Sequence, residues 1–78
     1  YPRRAQTRGI EGYVILEYIV TKTGAVRDPV VIDAKPTGIF NRSAINAALK
    51  YKYKPKVVNG EPIDVAGVKT RITFEMAD

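Results

Sequence analysis

The chain has 78 residues, enough for one domain with one modest hydrophobic core. It contains no histidine, cysteine or tryptophan and only one serine, so Ser/His and Cys/His nucleophiles and Cys/His zinc sites are excluded. Lysine plus arginine outnumber aspartate plus glutamate by 13 to 8, and the formal charge of +5 points to acidic partners: nucleic acid, a membrane surface or an acidic peptide.

Tyr1–Gly9 reads as a short helix of one to two turns, with Pro2 in the first turn and Gly9 at the C-terminal cap. Gly12–Thr21 follows, and nearly every residue in it is β-branched or aromatic. Val14, Leu16, Tyr18 and Val20 share one face of this first strand and are the core candidates. Tyr13, Ile15, Glu17 and Ile19 share the other, which is also unusually apolar. Thr21-Lys22-Thr23-Gly24 makes a hairpin turn with Gly24 available for positive φ. Val26–Ala34 is the second strand. Pro29 cannot donate to a ladder, which puts this strand at an edge or in a bulge, and Val30, Ile32 and Ala34 alternate inward.

After a loop at Lys35–Gly38, the spacing predicts the main helix over Phe40–Tyr51. Asn41 is its expected N-cap, and Phe40 is expected to staple against Ile45. Ala44, Ala47, Ala48 and Tyr51 form its apolar stripe, broadened by Ile45 and Leu49. Lys54-Pro55 ends it, Val57-Val58 is extended, Asn59-Gly60 is a tight turn, and Glu61–Gly67 is irregular or a weak strand. Val68–Met76 is the third strand: Val68, Thr70, Ile72, Phe74 and Met76 face inward, Lys69, Arg71, Thr73 and Glu75 outward.

These elements predict an α+β fold: a small three-stranded antiparallel sheet of order 2-1-3, one main helix packed on one face, and the short N-terminal helix, all in a single domain over residues 1–78. The first strand is apolar on both faces and belongs in the centre. Its proline-bearing and half-polar neighbours flank it. With no disulfide or Cys/His metal staple, a core this small gives about 3–5 kcal/mol of margin, so the domain is either efficiently packed or stabilised by association.

The eight acids are scattered singly, and no glycine-rich phosphate loop follows a strand. The reading is therefore a non-enzyme with no cofactor and no metal. Lys50-Tyr51-Lys52-Tyr53-Lys54-Pro55-Lys56 interleaves bases with aromatics. It could form a single-strand stacking platform, but the preferred reading is structural: Tyr51 completes the helix stripe, Tyr53 anchors the exit and the lysines snorkel outward. Arg3, Arg4 and Arg8 read as a solvated helix face. The free edge of the third strand is the main functional candidate, because a peptide can add there as a further strand through backbone hydrogen bonds. An inert edge guarded by Lys69 and Arg71 is the alternative, and the residues alone leave the two open.

A series of motifs carries a family resemblance: Tyr1-Pro2-Arg3-Arg4-Ala5-Gln6, Gly9-Ile10-Glu11-Gly12-Tyr13-Val14, Thr23-Gly24-Ala25-Val26, Ala34-Lys35-Pro36, Phe40-Asn41-Arg42-Ser43-Ala44, Tyr51-Lys52-Tyr53-Lys54-Pro55, Asn59-Gly60 and Ile72-Thr73-Phe74. In this order and spacing the chain resembles the C-terminal domain of TonB proteins of Gram-negative bacteria over essentially its whole length. One departure is Tyr51, where the family usually carries tryptophan. The resemblance implies a periplasmic, energy-transducing domain of an inner-membrane-anchored protein that works with ExbB and ExbD through an N-terminal region. Its linker and anchor are expected outside this chain, which starts at Tyr1. The domain is expected to grasp the TonB box of outer-membrane transporters by strand addition at the third strand, along Val65, Gly67, Val68, Lys69, Thr70, Arg71, Ile72 and Thr73, and so to power uptake of iron-siderophores, haem or vitamin B12. No nucleic acid is expected as a partner. A homodimer through the apolar outer face Tyr13, Ile15 and Ile19 stays open. The alternatives are a basic ββαβ RNA-binding module and a TolA-like envelope-integrity domain. The motif match argues against the second.

Overall fold

The computed structural model describes Arg3 and residues 8–76. The helix expected over Tyr1–Gly9 otherwise lies outside the described residues. Three long strands and a helix come in the order β1 (Gly12–Val20), β2 (Val26–Lys35), α1 (Asn41–Leu49) and β5 (Val65–Phe74), with two short strands β3 (Lys56–Val58) and β4 (Glu61–Ile63) before the last. The main sheet has the order β2-β1-β5 and is antiparallel throughout; β3 and β4 form a separate hairpin around Asn59-Gly60.

The centre of the sheet is where the apolar pattern puts it. Val14, Leu16, Tyr18 and Val20 are buried on one face of β1, joined by Val26, Phe40, Ala44, Ala48 and Phe74. The alanines bring α1 close to the sheet. Phe40 is completely buried and stacks on Phe74, with ring centroids 4.3 Å apart and planes at 13°. It is a core residue, and Ile45, its expected staple partner, packs against the same cluster. Phe40 also takes the N-cap position in place of Asn41, without a side-chain cap hydrogen bond, and Asn41 Oδ1 is buried with no partner. Burying an aromatic ring outweighs one capping hydrogen bond.

The helix is shorter than its apolar spacing predicts. It ends at Leu49, which is exposed, and Tyr51 lies beyond it, half-buried. The chain then runs extended. Lys52 makes an antiparallel bridge with Ala25, and the Tyr53 N–H donates to the Gly24 carbonyl at 2.8 Å. Gly24 has φ 83°, and a Cβ there would sit 2.0 Å from the Tyr53 carbonyl oxygen, so this contact requires glycine. Two motifs far apart in sequence, Thr23-Gly24-Ala25-Val26 and Tyr51-Lys52-Tyr53-Lys54-Pro55, are thus the two sides of one junction.

β2 corrects the expected alternation. Val30 and Ile32 are exposed, and Val31 packs on the core together with Val26 and Ala34. The register on β1 steps from Ile15↔Asp33 to Leu16↔Val31, so Ile32 is an inserted residue, and a second break lies between Glu17↔Val30 and Ile19↔Arg27. Each bulge resets the phase of a period-two pattern. Asp28, with φ 53°, and Pro29 occupy the second bulge. At the far end, Met76 is exposed beyond β5, against its expected inward position.

Candidate functional site: the edge of β5

β5 begins at Val65, three residues earlier than the sequence predicts. Gly67 has φ 70° and sits where the register on β1 shifts between Tyr18↔Val68 and Val20↔Val65. A glycine in the left-handed region lets a strand carry one extra residue and continue, so what reads as a breaker is a bulge inside the strand. From Val68 to Phe74 the pairing with β1 is unbroken, from Tyr18↔Val68 through Leu16↔Thr70 and Val14↔Ile72 to Gly12↔Phe74. Among the described residues no strand pairs with the other side of β5.

All eight candidate residues lie on this strand. Val65, Val68, Thr70 and Ile72 are half-buried, and Gly67, Lys69, Arg71 and Thr73 are exposed. Ile72 and Val68 pack against the core, so the strand is anchored by one face. Its end is fixed by Phe74 stacked on Phe40, and just beyond it the Met76 N–H donates to Glu11 Oε2 at 2.6 Å.

The open face carries a contact across all three strands. The Arg71 guanidinium lies 4.4 Å over the Tyr13 ring, and the Tyr13 hydroxyl donates to Asp33 Oδ2 at 3.2 Å. Arg71 therefore leans inward over β1 and leaves the backbone of the edge clear. The sequence reading put Tyr13 and Arg71 on the outer face but missed their contact. The signal was there: an outward aromatic on the central strand next to an outward cation.

On the core side, the hydroxyls of Tyr18 and Tyr53 hydrogen-bond to each other, tying the exit of α1 to β1. Burial, then the hydrogen bond and charge of Tyr53, push the Tyr18 phenol far above its ordinary range, while a hydrogen bond with Thr70 of β5 pulls the other way. Asp64, just before β5, accepts the Lys22 backbone N–H at 2.9 Å and lies 3.7 Å from the Arg27 guanidinium. No three His, Cys, Asp or Glu come together among the described residues, and no helix is long and apolar enough to cross a membrane.

The family model described as Gram-negative bacterial TonB protein C-terminal matches residues 1–76. Protein TonB of Escherichia coli (strain K12) is 36% identical over 76 residues, covering 97% of this chain and 29% of that protein. Protein TonB of Pseudomonas aeruginosa is 38% identical over 61 residues, covering 78% of this chain and 18% of that protein. The chain thus spans less than a third of the length of these two curated relatives. Among solved structures, the NMR structure of the Pseudomonas aeruginosa TonB C-terminal domain superposes with a TM-score of 0.83 at 31% identity, over all of this chain and 78% of that one. TonB2 of Vibrio anguillarum gives 0.74 at 40% identity, over all of this chain and 74% of its own.

Proposed function

We propose a function from one premise: the chain belongs to the family of Gram-negative bacterial TonB protein C-terminal domains. On that premise residues 1–78 are the receptor-binding domain of a TonB-type energy transducer. The domain is periplasmic and belongs to a protein anchored in the inner membrane, where ExbB and ExbD engage its N-terminal region. It acts by binding and pulling, without catalysis. Its target is the TonB box of outer-membrane transporters, and the work it transmits drives uptake of iron-siderophores, haem or vitamin B12.

The observation that carries this reading is the regular edge of β5, with which no further strand pairs among the described residues. A box peptide adds there as a fourth strand, along Val65, Gly67, Val68, Lys69, Thr70, Arg71, Ile72 and Thr73. Backbone hydrogen bonds supply the affinity, each worth about 0.5–1.5 kcal/mol net. Pulled along the strand, these bonds load together, so modest affinity coexists with mechanical strength. The β1–β5 pair transmits the load to the core through Phe74, Ile72 and Val14.

The test is a titration with a TonB-box peptide followed by amide chemical shifts. Changes concentrated along Val65–Glu75 are expected. Changes confined to Lys50–Lys56 would reject edge pairing and favour the RNA-binding alternative. Binding should weaken only gently with salt, whereas phosphate-dominated binding falls steeply.

A further inference from the structure

Edge pairing makes no use of the basic segment Lys50–Lys56. In the fold this segment lies at the end of the sheet where β1 turns into β2, fastened by the Ala25–Lys52 bridge and the Tyr53–Gly24 hydrogen bond. The β3–β4 hairpin continues from it and, among the described residues, pairs only with itself; of its six strand residues Ile63 is half-buried and the other five are exposed. Lys22, Lys50, Lys52, Lys54 and Lys56 are all exposed. Among the described residues the ion pairs are both made by Arg27, to Asp28 and Asp64, so none of these five lysines is neutralised by an acid. Asp64 is already engaged by Arg27 and the Lys22 backbone. The acid on the hairpin itself is Glu61, opposite Val58.

The aromatics of this segment are not a stacking surface. Tyr51 and Tyr53 are half-buried, their rings lie edge-on at 6.3 Å, and the Tyr53 hydroxyl is bonded to Tyr18. The exposed apolar groups that follow the lysines are aliphatic instead. Val57 is 58% and Val58 42% exposed, and Val57 sits directly across from exposed Pro62, so these two share one face of the hairpin. A single-strand stacking platform combines a basic groove with aromatic rings on which bases lie, and here the rings are turned to the core. An exposed aliphatic pair in the middle of the hairpin, Val57 and Pro62, with ammonium groups at and before the hairpin's base, matches a phospholipid surface: the lysines reach the phosphates on flexible stems while the pair enters the interfacial layer.

We propose that the β3–β4 hairpin and the lysines beside it form a docking surface for an anionic phospholipid bilayer, with Val57 and Pro62 at the interface and Lys22, Lys52, Lys54 and Lys56 among the headgroups. β5 starts two residues after the hairpin, so a domain seated this way holds its open edge running away from the bilayer. A peptide emerging from the same membrane would meet that edge lengthwise. The surface shares no residue with the edge, so the proposal stands or falls separately from edge pairing.

The experiment is co-sedimentation of the 78-residue chain with vesicles of phosphatidylcholine alone, and of phosphatidylcholine mixed with phosphatidylglycerol. Binding is expected only to the second and should fall as salt is raised. The double variant Lys54→Glu/Lys56→Glu is expected to lose about tenfold or more in affinity, and Val57→Asp to lose several-fold. Lys35→Glu/Arg71→Glu removes the same charge elsewhere and should cost less than half as much on the logarithmic scale. Far-UV circular dichroism establishes that each variant folds. The proposal is overturned if the parent chain ignores phosphatidylglycerol, if the charge-matched control loses as much as the hairpin variant, if Val57→Asp binds like the parent, or if a single-stranded oligonucleotide is held more tightly than the vesicles.

Discussion

The two outer strands of the sheet make an instructive pair. β2 and β5 are each ten residues long, both pair antiparallel with β1, and both carry outward charges: Arg27, Asp28 and Asp33 on one, Lys69 and Arg71 on the other. They differ in backbone regularity. β2 is interrupted twice, at Ile32 and at Asp28–Pro29, and the proline also removes a donor. β5 is interrupted once, near its start at Gly67, and then runs unbroken from Val68 to Phe74. A bulge twists an edge away from any incoming strand, and a missing N–H breaks the ladder it would have to form. Charge therefore guards neither edge more than the other. Backbone irregularity closes one and leaves the other usable.

The harshest test of this contrast is to remove the anchor of one edge only. Phe40 is fully buried against Phe74, at the end of β5. Phe40→Ala should cost about 3–5 kcal/mol in equilibrium unfolding. In native-state hydrogen exchange it should lower protection more along Arg71–Phe74 than along Val30–Asp33. A loss within about 1 kcal/mol, or uniform loosening of both strands, would mean that the stack does not hold the β5 edge in particular.

Proline placed along each edge comes next. In a regular strand successive N–H groups alternate between the two sides, so Lys69 and Arg71 share one direction and Thr70 and Ile72 the other. One set bonds to β1, and proline there should destabilise the domain. Proline in the other set should leave it folded but weaken TonB-box peptide binding by about tenfold or more, which is about 1.4 kcal/mol. Proline at Val30 or Ile32 of β2, in any variant that folds, should leave binding unchanged. Equal losses from both edges by calorimetric titration would show that the peptide does not discriminate between them.

Much of this contrast was written in the sequence. A strand apolar on both faces goes to the centre, a proline goes to an edge, and one-sided alternation marks a half-buried flank, so the order β2-β1-β5 follows from Gly12–Val20, Pro29 and Val68–Phe74. Inserted residues were the illegible part. A period-two pattern has no symbol for a bulge, so it turned Val30 and Ile32 inward and stopped β5 at Val68, where Gly67 in fact carries the strand back to Val65. The end of α1 was missed for a tertiary reason: Tyr51 continues the apolar stripe, but Lys52 and Tyr53 are claimed by the backbone of Gly24 and Ala25. The candidate residues could be placed on a strand, but which of their N–H groups face outward depends on pairing, which side-chain types do not encode.

A smaller effect concerns the polar tie on the β5 side. The Tyr18 hydroxyl bonds that of Tyr53, and Thr70 of β5 acts on the same phenol. The phenol is raised above its ordinary value of 10.0 in the folded state, chiefly by burial. The folded domain then holds this proton more tightly than the unfolded chain, so the contribution is complete below about pH 10 and is lost as pH rises above it. Stability should thus be insensitive to this group at neutral pH and fall in strong alkali. Tyr18→Phe should cost about 1 kcal/mol at pH 7 and flatten the alkaline fall. Parallel alkaline curves for the parent and the variant would remove Tyr18 as the group responsible.

The smallest effect expected separates backbone from side chain at the edge itself. If the peptide is held through main-chain hydrogen bonds, outward side chains contribute only what they gain from charges on the peptide. Arg71 is drawn inward over Tyr13 at 4.4 Å, and Lys69 is exposed opposite Glu17. Lys69→Ala and Arg71→Ala should each weaken binding by no more than about 0.5–1 kcal/mol, the range of exposed ion pairs, and added salt should reduce even that difference. Arg71→Ala should show a second change, in stability and not in binding, because the stacked cation is lost from Tyr13 in the free domain; about 0.5–1 kcal/mol is expected there. The two losses can be read separately, by peptide titration and by unfolding. Side-chain recognition would predict the reverse pattern: both alanine variants lose all binding, every folded proline variant binds like the parent, and steep salt dependence disappears with the cations. That pattern would reject the proposal that the partner pairs with the regular backbone of β5 and not with the edge of β2.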